Sequence, residues 1–380
     1  MPGVLNLVAA LGACAFALSQ TVIEPTFTAS STVLNVAGGA PKTEIVWSPC
    51  SDHLFVIDKS GRLTVVSKTT GQTGFFWDNT VDTYQYADHG PLGMVLHPQF
   101  PTQPYLFIYY TADGTNPATG QPWGDTCPRV INTRQFCETT QKLVRLKLDV
   151  KLTNGVCNTI GYNSTTSPPF LLKEDWCSCS ITHANGDLKA YKGDLLLTSG
   201  DGSQAGGRDV GIPGSDTCYT AAMKMPQGKL RSQRLDYLNG KLLRIPAAAL
   251  LKTMGQLTVG TEIMIVARGL RNPYSMAVDK FFNVFVGDVG SKLKEEINML
   301  RAAEMTNTAN YPYNFGWPCI QGSKYVTEVS YVSAGGIPAG WLASSKGEGR
   351  VHKLIKRQKA SFICWSAGQQ QRGETRVLAD

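Results

Sequence analysis

His183 and Asp201 are the first residues whose types and spacing could do chemistry. An imidazole can take up a proton near neutral pH. His183 stands in His183-Ala184-Asn185-Gly186-Asp187-Leu188, a glycine-containing turn that feeds an alternating run. Asp201 ends the next apolar run, in Ser199-Gly200-Asp201-Gly202, where its carboxylate could orient that base or bind a hydroxyl. Each also reads as plain structure: a turn histidine, and an Asp-Gly hairpin corner. A second pair is Arg271 and Asn272, in Leu270-Arg271-Asn272-Pro273. A guanidinium can fork onto a carboxylate, and Pro273 fixes the turn so that both side chains leave it in one direction.

These residues sit between short apolar runs punctuated by turns. Leu54-Phe55-Val56-Ile57-Asp58, then Lys59-Ser60-Gly61, then Arg62-Leu63-Thr64-Val65-Val66 reads as a hairpin. Similar pairs recur near 92–111 with 142–149, near 186–199 with 241–245, and near 274–287 with 296–300. The chain has 38 Gly and 20 Pro in 380 residues and only 17% charged residues, which suits strands and turns better than long helices. Hairpins repeating at long spacing predict an all-β propeller, because one blade cannot bury both faces alone. Residues 291–305 carry a helical pattern and by propensity read as a helix. A short surface helix is expected from Ala247 to Met254.

Four ordered motifs give the chain a likeness to a known family. They are Gly90-Pro91-Leu92-Gly93-Met94-Val95-Leu96-His97-Pro98, the His183 turn with the Gly200-Asp201-Gly202 corner, Leu238-Asn239-Gly240-Lys241-Leu242-Leu243-Arg244-Ile245, and the stretch 268–322. The last joins Leu-Arg-Asn-Pro, Gly287-Asp288-Val289-Gly290, Glu296-Ile297-Asn298 and Asn314-Phe315-Gly316-Trp317-Pro318. Together they resemble the pyrroloquinoline-quinone (PQQ) dependent soluble aldose dehydrogenases, the glucose/sorbosone dehydrogenase family. The Asn-Phe-Gly-Trp-Pro-Cys corner is most similar to its eukaryotic, hedgehog-interacting-protein-like branch.

The resemblance implies a six-bladed, quinoprotein glucose dehydrogenase-like propeller that oxidises a sugar hydroxyl, and it makes Glu296 to Leu300 a strand, tertiary context overriding propensity. In it His183 is the catalytic base, Asp201 its partner, and Arg271 and Asn272 contact PQQ. Calcium would be held by the backbone carbonyls of Gly290 and Ser291, oxygen ligands suiting a hard cation; Gly287–Gly290 as a plain turn is the alternative. Asp88 falls where the family carries Gln or Glu and is the candidate substrate contact. Thr182 stands where some members carry an acid beside the histidine. Glu295 and Glu296 read either as ligands of a second cation or as a solvated pair. The family's pattern continues past the Trp317 corner with further blades and basic cofactor contacts. No counterpart is found here, so the propeller is expected to be incomplete at its C-terminus.

Val4 to Leu18 is an apolar run, shorter than the ~20 residues of a transmembrane helix, and Ala15-Phe16-Ala17 has the small-x-small form of a signal-peptidase site. The expected organisation is a signal peptide at 1–17, the propeller domain at 18–340, and a basic tail at 341–380. Of ten cysteines, eight lie between Cys50 and Cys319, an even number that suits disulfides in a secreted chain. Connectivity does not follow from sequence, although Cys127 and Cys137 flank one insertion, and Cys177-Ser178-Cys179 suits two separate disulfides better than a metal. Asn163-Ser164-Thr165 is a glycosylation acceptor. The formal charge of +7 is concentrated in the tail, where residues 346–380 carry eight Lys or Arg against three acids. Nucleic-acid binding, which needs a basic patch, therefore has no support elsewhere. No nucleotide loop, zincin helix or serine-hydrolase elbow is present. The partners expected are a small sugar or, in the non-catalytic alternative, an extracellular protein ligand. A third possibility is an incomplete, inactive product.

Overall fold

The computed structural model describes residues 36, 39–67, 73–114, 129–131, 134–136, 139–178, 182–203, 228–291, 294–318, 320–321 and 324–325. The expected signal peptide and tail, and the Cys127–Cys137 pair, lie outside these residues. Four antiparallel sheets follow one another along the chain. The first comprises Lys42–Trp47, His53–Asp58, Arg62–Ser67 and Thr73–Asp78. The second runs Pro91–Leu96, Tyr105–Ala112, Thr139–Lys147 and Phe170–Ser178. In the third, Asn185–Tyr191, Asp194–Ser199, Lys241–Ile245 and Met264–Arg268 are joined by a short parallel strand, Tyr313–Asn314. Pro273–Val278, Val284–Asp288 and Glu296–Leu300 make the fourth.

The leading strands Lys42–Trp47, Pro91–Leu96, Asn185–Tyr191 and Pro273–Val278 pack successively against one another. Each sheet thus presents its first strand inward beside the next, which is the propeller-like, nearly all-β arrangement that the repeated hairpins imply.

Side-chain alternation explains why the blades stack. In Tyr105–Ala112, Leu106, Ile108 and Tyr110 join a buried cluster with Phe55, Ile57 and Leu63 of the first sheet. Their neighbours Phe107 and Tyr109 point the other way, to Leu188, Leu195 and Leu197 of the third. Leu196 and Val266 continue the pattern toward Met276, Val284, Val286 and Leu300 of the fourth. Strands buried on both faces read as the near-continuous apolar runs seen in the sequence. Burying one such leucine contributes about 1.5–3 kcal/mol, so the three clusters are what hold the blades in sequence. One disulfide among the described residues, Cys50–Cys157, ties the first sheet to the separate two-stranded hairpin Asp149–Gly161.

The 291–305 segment holds the expected strand and, after it, a short helix that begins within the segment's helical pattern. Glu296–Leu300 is a strand, paired Asp288↔Glu296, Val286↔Asn298 and Val284↔Leu300. A short helix, Ala302–Thr306, follows it, with Arg301 N donating to Glu304 Oε2 at 2.8 Å. Ala247–Leu250 is a single helical turn, shorter than expected, started where Ala247 N meets Asp194 Oδ1 at 2.8 Å.

Candidate functional site

Asp88, His183 and the Arg271–Asn272 pair occupy equivalent places in the fold. Each lies just ahead of the innermost strand of its blade: Pro91–Leu96, Asn185–Tyr191 and Pro273–Val278. Innermost strands packed side by side bring these entry loops to one end of the propeller. Residues nearly a hundred positions apart then touch: His183 N donates to Asp88 Oδ2 at 3.3 Å, and Asn272 Nδ2 faces the same oxygen at 3.5 Å.

His183 is buried, at 2% exposure, and holds φ at +58°, a left-handed conformation unusual for a residue with a side chain. Its carbonyl accepts from Gly202 N at 2.8 Å. Gly200 makes the close approach possible, because a Cβ there would collide with the His183 carbonyl. The imidazole Nδ1 lies 2.9 Å from Asp201 Oδ1. The other ring nitrogen, Nε2, makes no hydrogen bond among the described residues.

Asp201 is fully buried and heavily engaged. Oδ1 also accepts from Ser203 N at 2.8 Å, and Oδ2 accepts from Trp317 Nε1 at 2.8 Å. Burial pushes its carboxyl up, but the His183 ring, the Arg271 guanidinium and the Ser203 amide outweigh it and hold it well below the usual carboxylate range. The side chain is therefore an anion. Asp201 N donates to Arg271 O at 2.8 Å, so the two predicted pairs share one backbone junction.

Arg271 is buried under an acidic shell. Burial lowers its guanidinium from the usual value, against Asp201, Asp288, Glu295 and Asp88. Nη1 donates to Val289 O at 2.8 Å and Gly290 O at 3.0 Å, and the guanidinium carbon lies 5.4 Å from the Trp317 ring centre. The Gly290 carbonyl expected to hold calcium thus receives a guanidinium, while Gly290 N donates to Glu295 Oε2 at 2.9 Å. Ser291 follows at the surface of that turn, half-buried. Glu295 is accordingly a turn-capping residue. Asn272 is buried, and its Oδ1 has no partner among the described residues.

Several contributors are given no role by the sequence reading, although Asp288, Lys241 and Trp317 stand inside quoted motifs. Asp288 accepts from Asn272 N at 2.7 Å and from Arg271 N at 3.0–3.1 Å, pinning the Arg-Asn turn from below. Burial, with Glu296 adding to it, pushes its carboxyl up to about 7 against the pull of Arg271 and the two amides. Arg231, fully buried, donates to Asp201 O at 3.1 Å and Gly202 O at 2.8 Å. Lys241 Nζ caps the carbonyls of Arg231 and Ser232, both at 2.9 Å. Lys229 Nζ lies 5.6 Å from the Trp317 ring centre. Trp317 is visible in the sequence only as part of a corner motif. The usable signal is that a buried indole N–H needs an acceptor.

Among the described residues no group of three or more His, Cys, Asp or Glu could hold a metal ion, and no helix is long and apolar enough to cross a membrane. No protein-family model matches the chain, and no curated protein matches it. Among solved structures it is similar to the PQQ-bound aldose sugar dehydrogenase of Streptomyces coelicolor, at 17% identity and a TM-score of 0.48. That match covers 76% of this chain and 65% of the other. A glucose dehydrogenase-type oxidoreductase of Thermus thermophilus is similar at 18% identity and a TM-score of 0.47, over 76% of this chain and 68% of that one. The apo soluble aldose sugar dehydrogenase of Escherichia coli is similar at 15% identity and a TM-score of 0.45, over 74% and 63%. The chain therefore spans less than two thirds of the Streptomyces and Escherichia proteins it matches.

Proposed function

We propose that this chain oxidises a sugar hydroxyl as a PQQ-dependent aldose dehydrogenase, with His183 as the base. The observation that carries the reading is the buried His183–Asp201 pair, whose Nε2 makes no hydrogen bond among the described residues, joined to the Arg271–Asn272 turn through Asp201 N and Asp88. An ionised Asp201 sets Nδ1 as the donor, so Nε2 is the basic nitrogen and can take a hydroxyl proton. Asp201 then stabilises the imidazolium that forms. Asp88, held against His183 N, offers a carboxylate to further sugar hydroxyls.

PQQ, when bound, supplies the quinone that accepts the hydride. The donor set suits a planar polyanion: Arg271 and Lys229 both lie within 5.4–5.6 Å of the Trp317 ring centre. Asn272 Oδ1 and Ser203 Oγ, both buried and without a partner among the described residues, leave polar positions for a ligand. Calcium at the Gly290 carbonyl does not fit, because Arg271 Nη1 occupies that oxygen and like charges repel. No step is assigned to calcium. Export belongs to the same proposal, resting on the apolar Val4–Leu18 run, the Cys50–Cys157 disulfide and the exposed Asn163 acceptor.

The test is spectrophotometric titration of the full chain with PQQ. Saturable binding is expected, weakened about 10- to 100-fold in Arg271→Ala, the value of one charge-assisted hydrogen bond. An absence of saturable binding by the wild type would overturn the reading.

A further inference from the structure

We propose that Trp317 is a positioning residue that fixes the tautomer of His183 through Asp201. This rests on the reading of His183 as a base, and it names the group that makes Nε2 the basic nitrogen.

Donors and acceptors around the carboxylate decide the matter. An indole N–H can only donate. Trp317 Nε1 donates to Asp201 Oδ2 at 2.8 Å, so Oδ2 cannot carry a proton directed along that bond. Oδ1 already accepts from the Ser203 amide at 2.8 Å. Donors at both oxygens favour the ionised carboxylate, which can only accept, so in the remaining contact, at 2.9 Å, His183 Nδ1 is the donor. Nε2 is thereby left bare. A hydroxyl in place of the indole could reverse its role and release this constraint.

Trp317 is itself fixed. It is 3% exposed, its N donates to Gly269 O at 3.0 Å, and its carbonyl accepts from Ser232 Oγ at 2.9 Å and Gln233 Nε2 at 2.6 Å. The backbone bonds fix where the indole starts, and its burial with the Nε1 bond holds it against Asp201. The other charged groups facing this pair are Arg271, Arg231, Lys241 and Asp88. Arg231 and Lys241 donate to backbone carbonyls, and the indole is the group that donates to Oδ2 from the corner.

The experiment reads the ring nitrogens of His183 directly, by NMR of the full chain labelled with 15N-histidine at pH 8. His183 is assigned by its loss in His183→Gln. The wild type is expected to show a protonated Nδ1 and a bare Nε2. Trp317→Phe should give a mixture of tautomers and lower kcat/KM about 10- to 100-fold, as expected for loss of one charge-assisted hydrogen bond. Replacing Trp317 by benzothienylalanine, which keeps the ring shape and lacks the N–H, should give the same mixture. An unchanged tautomer in either folded variant overturns the proposal. Should both fail to fold, the wild-type Trp317 Nε1–H decides: it should be protected from exchange and lose that protection in Asp201→Asn, and an unprotected signal overturns the proposal. If the tautomers behave as stated but no sugar is oxidised, the functional reading fails and the positioning role stands.

Discussion

Replacing Asp288 by Asn should remove a large part of the protein's loss of stability between pH 5 and pH 8. Asp288 is 5% exposed, and its carboxyl is pushed up to about 7, against 3.8 for the ordinary group. A folded-state value above the unfolded one means that the protonated acid is the form that folding favours. Its contribution is fully present below about pH 4 and is lost as pH rises through about 7. The gap between the ordinary and the folded carboxyl corresponds to roughly 4 kcal/mol at most. Between pH 5 and 8 the part that titrates is about 2–3 kcal/mol. Asn is isosteric and can keep the acceptor that faces Asn272 N at 2.7 Å, while carrying no titrating proton. Urea unfolding at pH 5 and pH 8, in wild type and Asp288→Asn, isolates the effect because every other group is common to both. The wild type should lose about 2–3 kcal/mol more than the variant over that range. Equal losses in the two proteins, within ~0.5 kcal/mol, would refute the burial argument.

Two further perturbations probe the frame. Paired Cys50→Ser and Cys157→Ser substitutions should lower stability by about 2–5 kcal/mol, measured by calorimetry, because the bond closes a loop of 107 residues; a change below about 1 kcal/mol would contradict it. Gly200→Ala places a Cβ against the His183 carbonyl and should cost about 1–3 kcal/mol in urea unfolding, whereas a neutral result would show that the turn can relax.

The blades are legible because their strands alternate, and alternation survives in sequence. Leu106, Ile108 and Tyr110 facing one neighbour, with Phe107 and Tyr109 facing the other, is a pattern that can be counted along the chain. His183, Asp201, Arg271 and Asn272 are legible as motifs, and the structure brings them together through the Asp201 N to Arg271 O bond. The Arg271–Gly290 contact is not legible, since a backbone carbonyl carries no sequence signature of what approaches it. Nor are Arg231 and Lys241, whose cations turn inward onto carbonyls, a choice set by tertiary packing. Segment 291–305 looks ambiguous because it is both: five residues pair with Val284–Asp288, and the helix-forming remainder coils directly after them.

The central claim is that His183 takes the hydroxyl proton of a sugar while PQQ takes the hydride. Stopped-flow mixing of the PQQ-loaded full chain with an aldose, following quinone absorbance in a single turnover, tests it most directly. Reduction is expected in the wild type, with a rate lower by about 10²–10⁴-fold in His183→Gln and PQQ bound equally well by both. Equal rates in the two proteins, or no reduction by the PQQ-loaded wild type, would contradict it.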